Sequence, residues 1–334
     1  MSRSIGQQDA ERTEAVDLAP EVFSTVGLPA SRRVELWEGH NAAALVRLDV
    51  HAISPLQASE VSIRLVDATL ARVRATSHRI ERSADAITAD PYDAIAVYLS
   101  LRGESSFVQS GITHTLRPGT AVICETDRPF AREFTHGLDE LVVKVPCEAL
   151  DALDARLDAH SLKRPVVTTF GSGYDGDQYA SALARLAARA TRAVQPVPAD
   201  ERAVVELVTV LAAGPQAARS AAYRAAARAF IEEHLTAPGL GADQVAVAIG
   251  ISERHLSRVF AADGTSVPRF VLARRLELSH ALLCAAAPAD SVADIAARCG
   301  FVSTTYFSHV FRARFGLRAG EVLRASRAVS ATTA

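Results

Sequence analysis

An internal repeat in the last third of the chain is the feature that most restricts what this sequence can fold into. Residues 246–250 (AVAIG) precede 256–260 (LSRVF), and fifty residues later 296–300 (AARCG) precede 307–311 (FSHVF) in the same order, with one extra residue between the two parts. Each copy places a small residue four positions before a glycine. Two tightly crossing helices and a turn with positive φ require this pattern. Each copy therefore predicts a helix-turn-helix.

Each copy also separates an apolar face from a polar face on its second helix. Ser252 and Ser303 stand where the N-cap of that helix is expected. Apolar residues then recur at helical spacing and predict the face that packs inward. The opposite face carries polar side chains, most of which can donate hydrogen bonds to base edges and phosphates: Glu253, Arg254, Ser257 and Arg258 in the first copy, and Thr304, Thr305, Tyr306, Ser308 and His309 in the second. These two faces predict double-stranded DNA as the partner.

The charge distribution and the segment between the copies agree with this interpretation. From Arg219 onwards the chain has 14 Arg, no Lys and 9 acidic residues, a net charge of +5, whereas the preceding part has a net charge of −7. This asymmetry indicates that only the C-terminal part meets a polyanion. The 18 residues of Val267–Cys284 have a helical pattern. A helix of about 27 Å can hold two reading helices near the ~34–36 Å between successive major grooves.

The part of the chain before the repeat predicts a β-rich domain followed by helices. Short apolar or alternating runs, separated by turn signals at regular spacing, are typical of antiparallel strands. The runs are 61–65, 94–101, 120–124 and 141–145, and the turn signals are Arg102-Gly103, Ser110-Gly111, Arg117-Pro118-Gly119 and Arg128-Pro129. Further helices are expected at 31–48, 177–194 and 199–213.

These patterns predict an α+β protein with an N-terminal β-rich barrel or sandwich, flanking helices and an all-α C-terminal domain. We expect a disordered N-terminus at 1–25, the β-rich domain at 26–170, a helical dimerisation segment and linker at 171–216, and the DNA-binding domain at 217–330. No run of ~18 uncharged apolar residues is present, and the start lacks the apolar core of a secretory signal. We therefore expect no membrane association and a cytoplasmic location at the nucleoid.

The repeat resembles a known family through a specific set of residues. The matching residues are Ala246, Gly250-Ile251-Ser252, 256–260, Gly264, Arg274-Arg275-Leu276, Ile295-Ala296, Cys299-Gly300-Phe301, 306–311 and Phe315-Gly316. Through them, residues 223–324 resemble the DNA-binding domain of the AraC/XylS family of bacterial transcription regulators. The resemblance implies base-reading positions at Arg254, Ser257 and Arg258 in the first copy, and at Thr304, Thr305, Ser308 and His309 in the second.

Two departures from the family pattern affect the second copy. His309 stands where many members have an arginine, which implies a weaker or pH-dependent grip on DNA. The proline that commonly follows the Phe-Gly pair is absent after Gly316. We expect Arg312 and Arg314, together with the helix N-termini at Ser252 and Ser303, to contact mainly the DNA backbone.

The N-terminal half resembles the cupin-like sensing and dimerisation domains of this family, in particular the AraC-binding-like type. The resemblance is carried by residues 116–124, 126–130 and 141–146. It implies a small-molecule effector or a homodimer contact, with the helices after Asp177 joining that contact, and RNA polymerase as a further partner. The resemblance assigns neither an effector nor effector-binding residues. The aromatic residues Trp37, Tyr92, Tyr98 and Phe107 are expected either in the core or in an effector pocket.

No enzyme motif stands out in the sequence. The isolated His78, His114 and His136 lack the His-x-His of metal cupins, and the four cysteines have no metal-ligand spacing, so neither a metal nor a cofactor nor a catalytic residue is expected. Cys299 beside Gly300 is predicted to be a packing residue. Three alternatives remain: a non-specific architectural DNA-binding protein, a cupin-type enzyme with a vestigial tail, and a regulator whose N-terminal domain only dimerises.

Overall fold

The computed structural model describes residues 20–153, 162, 164–171, 176–214, 219–287 and 289–332. Two antiparallel sheets form the N-terminal domain. Their strands are β1 (Glu21–Ser24), β2 (Asp49–Ala52), β3 (Ala58–Arg64), β4 (Thr69–Ala75), β5 (His78–Arg82), β6 (Ala94–Arg102), β7 (Ser105–Gln109), β8 (Ile112–Leu116), β9 (Thr120–Glu125), β10 (Phe130–Phe134), β11 (Leu138–Pro146) and β12 (Val166–Thr169). One sheet has the order β1-β3-β4-β11-β6-β9-β12 and the other the order β2-β5-β10-β7-β8.

The helices flank this domain and then form the C-terminal domain. They are α1 (Arg33–Ala44), α2 (Ala84–Ala89), α3 (Cys147–Leu153), α4 (Gln178–Ala190), α5 (Glu201–Ala213), α6 (Arg219–Glu233), α7 (Ala242–Ala248), α8 (Glu253–Ala261), α9 (Val267–Cys284), α10 (Val292–Arg298), α11 (Thr304–Phe315) and α12 (Ala319–Thr332). The predicted α+β class is confirmed. Among the described strands no hydrogen-bonded ladder joins the two sheets into a ring, so the cupin-like domain is a sandwich.

The long apolar runs in the sequence correspond to strands that are buried on both faces. In β6, Ile95, Val97 and Leu99 pack into a core shared with α4 and α5, whereas Ala96 and Tyr98 pack into the core between the two sheets. A strand covered on both faces needs apolar residues at successive positions, which explains why the run does not alternate. The four turn signals of the sequence each lie where one strand ends and the next begins, from β6 to β10.

The helices α4 and α5 cover the outer face of the seven-stranded sheet. Asp177 caps α4, and its carboxylate accepts hydrogen bonds from the backbone N–H groups of Tyr179 and Ala180 at 2.8 and 2.9 Å. Leu183 and Leu207 are among the residues that these helices bury against the sheet. Both helices thus have an intramolecular packing role, and their part in a dimer contact stays a prediction.

The end of the N-terminal segment is ordered, contrary to the prediction that residues 1–25 are disordered. Residues 21–24, within the segment expected to be disordered, form β1 and pair with β3. The ring of Phe23 stacks on His40 with 4.1 Å between centroids. This four-residue edge strand is fixed by backbone pairing and by the stacking of Phe23 on His40 and Trp37, and it is too short for hydrophobic periodicity to reveal. Residues 1–19 and the expected boundary at 216/217 lie outside the described residues.

Candidate nucleic-acid interface

The first head, which we define as α7 and α8, has the geometry that its sequence predicts. Gly250 adopts a φ of +70°, and the N–H of Ile251 donates to the carbonyl oxygen of Ala246 at 3.0 Å. The hydroxyl of Ser252 then accepts a hydrogen bond from the N–H of His255 at 3.2 Å and caps α8. These contacts fix the angle at which α8 leaves the turn.

The second head, defined as α10 and α11, repeats this construction. Gly300 has a φ of +83°, and the N–H of Phe301 donates to the carbonyl oxygen of Ala296 at 3.0 Å. Ser303 caps α11 by accepting from the N–H of Tyr306 at 3.2 Å. A Cβ atom at Gly300 would lie 2.9 Å from the carbonyl oxygen of Thr236, so only glycine fits at this turn.

The second helix of each head, α8 or α11, is its recognition helix. Each recognition helix is buried on one face and exposed on the other. Leu256 and Phe260 of α8 and Phe307 and Phe311 of α11 are buried in a single C-terminal core. All seven predicted base-reading residues are exposed: Arg254, Ser257 and Arg258 on α8, and Thr304, Thr305, Ser308 and His309 on α11. The hydroxyl of Ser308 donates to the carbonyl oxygen of Thr304 at 2.8 Å. The structure thus brings together on each head the side chains that the sequence assigned to it.

The residues expected at the DNA backbone differ in their surroundings. Arg312 is exposed in the last turn of α11. Arg314 is exposed as well, but its Nη2 lies 3.9 Å from Oε1 of Glu277 on α9. Ser252 and Ser303 are exposed and act as N-caps, so each marks a helix N-terminus with free N–H groups. Such an N-terminus favours an anion such as a phosphate.

A buried ionic cluster that no sequence pattern predicts connects the first head to the rest of the chain. Glu206 of α5 is fully buried, and its Oε1 accepts a hydrogen bond from Nε of Arg224 at 2.7 Å. Arg228 of α6 donates to Asp200 at 2.7 Å and to Asp263, just beyond α8, at 3.1 Å. Burial raises the pKa of Glu206 despite these arginines. The signal in the sequence was a single charged residue inside the apolar run of α5.

A second contact between segments involves α9. The Nε of Arg274 donates to Oε1 of Glu232 at 2.5 Å, and another guanidinium nitrogen contacts the carbonyl oxygen of Pro198. Both Arg274 and Glu232 are buried. Burial alone lowers the pKa of Arg274, but the adjacent carboxylate outweighs it and the pKa is raised. The helix between the two heads is therefore fixed to α6 and to the segment before α5.

The interior of the N-terminal sandwich is nearly filled. Trp37, Tyr98 and Phe107 belong to the core between the sheets, and a cavity of only about 30 Å³ borders this core. The side chain of Arg132 on β10 reaches across this core to the other sheet and donates to both carboxylate oxygens of Glu140 at 2.9 and 2.7 Å. Tyr92 is half-buried, with the ammonium group of Lys144 4.0 Å from its ring centroid. A larger cavity, of about 350 Å³, lies between α4 and α6 and is lined in part by Arg185, Arg189 and Arg192.

His78 and Cys299, by residue type a possible metal ligand and a possible redox group, are both packed inside the protein. His78 is buried and stacks on Phe134, and its Nδ1 lies 2.7 Å from the carbonyl oxygen of Thr76. No group of three or more potential metal ligands occurs among the residues that the structure describes. Cys299 is fully buried in the C-terminal core, and burial raises the pKa of its thiol to about 11. None of the described helices is long and apolar enough to span a membrane.

Two protein families match this chain. A helix-turn-helix domain family matches residues 245–325, and a family described as AraC-binding-like domain matches residues 37–237, more than half of the chain. Together with the two exposed recognition helices, these matches define a DNA-binding transcriptional regulator with an N-terminal AraC-binding-like domain. The chain belongs to the AraC family of transcriptional regulators.

Individual relatives cover the chain to different extents. The transcriptional activator NphR from Rhodococcus sp. is 26% identical over 260 residues, which is 76% of this chain and 77% of NphR. The transcriptional activator RhrA from Rhizobium meliloti is 35% identical over 98 residues, 29% of this chain and 31% of RhrA. The crystal structure of the AraC-like transcriptional activator CuxR covers 84% of this chain and 99% of its own, with a TM-score of 0.46 and 19% identity.

Proposed function

We propose that this regulator binds a specific DNA site with both heads, which place α8 and α11 in successive segments of the major groove. The observation that supports the proposal is the same in both copies of the repeat. Every predicted base-reading residue is exposed on the helix face opposite the buried face. In a helix-turn-helix protein the second helix enters the major groove, and its N-terminal residues contact base edges.

The two kinds of candidate residue have different roles in this proposal. Arg254 and Arg258 carry guanidinium groups for bidentate contacts with guanine, worth about 1–3 kcal/mol of discrimination each. Ser257 and, on α11, Thr304, Thr305, Ser308 and His309 complete the reading surface. The contacts that position the protein on phosphates come from Arg312, Arg314 and the helix N-termini at Ser252 and Ser303.

Comparison of two arginine variants tests this division of roles. We expect Arg258→Ala to relax sequence preference at one base pair, because a base contact is lost. We expect Arg314→Ala to weaken binding to all sequences alike and to reduce the salt dependence of binding, because a phosphate contact is lost. The measurement is the binding of each variant to a set of duplexes with single base changes, at several salt concentrations. Equal profiles for the two variants would contradict the assignment.

The relatives guide the proposal on transcription. NphR and RhrA are named transcriptional activators. We propose that this chain also activates transcription, in the cytoplasm at the nucleoid, by recruiting RNA polymerase as a homodimer. Membership of a regulator family favours this function over the alternative of a cupin-type enzyme. Catalysis and a bound cofactor have no part in the proposal.

Control by an effector and control by dimerisation alone make different demands on the N-terminal domain. A cavity of about 30 Å³ holds roughly one water molecule, so the filled sandwich favours the form in which this domain only dimerises. A small polar effector would instead fit the cavity between α4 and α6, which three arginines line together with Glu232 and Glu233. Binding of ligand-free, purified protein to its DNA site as a dimer would support the first form. Dependence of that binding on an added cell extract of small molecules would support the second.

A further inference from the structure

The two heads differ by one residue at the start of the recognition helix. Ile251 and Phe301 are equivalent, because each donates its backbone N–H to the alanine four positions before the glycine at 3.0 Å. In the first head the N-cap Ser252 follows Ile251 directly. In the second head Val302 intervenes before the N-cap Ser303. Val302 is therefore the extra residue of the second copy.

Packing within the protein does not account for a valine at this position. An apolar residue before the N-cap commonly packs against the fourth residue of the helix, which here is Phe307. That contact is already made by Phe301, whose ring lies 4.9 Å from the ring of Phe307. The side chain of Val302 is left 88% exposed.

The rest of this helix tip is also exposed and uncharged. Residues 302–306 (VSTTY) are all exposed, and Tyr306 is 52% exposed. In the first head, the residue at the position of Tyr306 is His255, which packs against the ring of Tyr223 with 5.1 Å between centroids. The positions of Thr304 and Thr305 are occupied there by Glu253 and Arg254. The first tip is therefore charged, whereas the second presents methyl groups and an aromatic ring.

We propose that the second head reads thymine methyl groups, with Val302 as a specificity-determining residue and Tyr306 beside it. This inference rests on the proposed function. Thymine presents a methyl group in the major groove, and small apolar side chains recognise it by contact, whereas arginine selects guanine. The N-terminal end of the recognition helix lies nearest the base edges. The DNA site is thus composite, with a guanine-containing block at the first head and a thymine-rich block at the second.

Replacement of thymine by deoxyuridine tests the proposal, because it removes only the methyl group. The probe is a duplex enriched by the full-length protein from random DNA, with each thymine of the second block replaced in turn. We expect the Kd of the wild-type protein to rise about fourfold at the contacted thymine, as the burial of one methyl group predicts. The Val302→Ala variant should bind the thymine duplex more weakly and lose most of this sensitivity.

Two controls separate this effect from general changes in binding. Val247 on α7 is another valine with an exposed side chain, and Val247→Ala should retain the full response to deoxyuridine. Deoxyuridine in the first block should have a smaller effect. Two results would overturn this inference alone. In the first, the wild-type protein binds the enriched site equally well with thymine or with deoxyuridine. In the second, Val302→Ala loses as much affinity on deoxyuridine replacement as the wild-type protein does. Failure to enrich any sequence would overturn the proposed function and this inference with it.

Discussion

Lys144 is a buried charged residue whose surroundings affect the stability of the N-terminal domain. It lies on β11, the middle strand of the seven-stranded sheet, and its ammonium group contacts the ring of Tyr92 and donates to the carbonyl oxygen of Leu45. Burial, followed by the positive charge of Arg64, lowers its pKa from 10.5 to about 8. The sequence did not predict this environment, because the partners of Lys144 are distant along the chain and no periodicity connects them.

The titration of Lys144 gives a prediction for the stability of the protein. Between pH 8 and 10.5 the unfolded chain keeps a proton that the folded protein releases, so the cost of burying the charge disappears as the pH rises. The wild-type protein should therefore gain stability relative to Lys144→Met, by on the order of 3 kcal/mol over the full range. Urea unfolding of both proteins at pH 7 and pH 10 measures this gain. A stability difference that does not change with pH would contradict it.

At the scale of elements, the sequence predicted helices best where one face of the helix is buried in a core and the other is exposed. The prediction of a helix at Val267–Cys284 is confirmed with both ends correct, and both recognition helices have the predicted buried and exposed faces. The strand β10 was harder to predict because Arg132 occupies one of its buried positions and pairs with Glu140 on the other sheet. A charged residue at a core position interrupts the apolar pattern on which a sequence-based assignment depends.

The two turn glycines provide a matched pair for testing the packing of the heads. Alanine at either position has to adopt positive φ, which costs roughly 1 kcal/mol. At Gly300 the added Cβ also meets the carbonyl oxygen of Thr236 at 2.9 Å, whereas at Gly250 no atom lies within 4 Å. We expect Gly300→Ala to lower the unfolding free energy by about 2–4 kcal/mol and Gly250→Ala by about 1 kcal/mol. Equal losses in urea unfolding would show that the second turn is no tighter than the first.

At the scale of the whole molecule, the ionic cluster couples the N-terminal domain to the first head. Arg228 on α6 contacts Asp200, before α5, and Asp263, after α8, and its Nε lies 3.4 Å from Oε2 of the buried Glu206 on α5. Removal of one partner leaves a buried charge without compensation, which costs more than replacement of both partners by apolar residues. The cluster was not predictable from sequence, because its members are separated by up to about sixty residues.

A double-mutant cycle tests the energetic coupling within this cluster. We expect Arg228→Met to destabilise the protein by about 3 kcal/mol, and Glu206→Leu to destabilise it less. The double variant should be more stable than the sum of the two single effects predicts, because the attraction between Arg228 and Glu206 is lost in each single variant and is therefore counted twice in that sum. The measurement is urea unfolding of the wild-type protein and the three variants. Additive losses would show that Arg228 and Glu206 act independently.

Selection of DNA by the full-length protein tests the function of the whole molecule most directly. Random duplexes are retained by the purified protein at about 150 mM salt and then sequenced. If α8 and α11 read successive segments of the major groove, the retained DNA will share two conserved blocks about 10–10.5 base pairs apart, centre to centre. Retention without any enriched sequence, together with a steep decrease in affinity as salt increases, would show that the protein binds DNA non-specifically and would contradict the proposal.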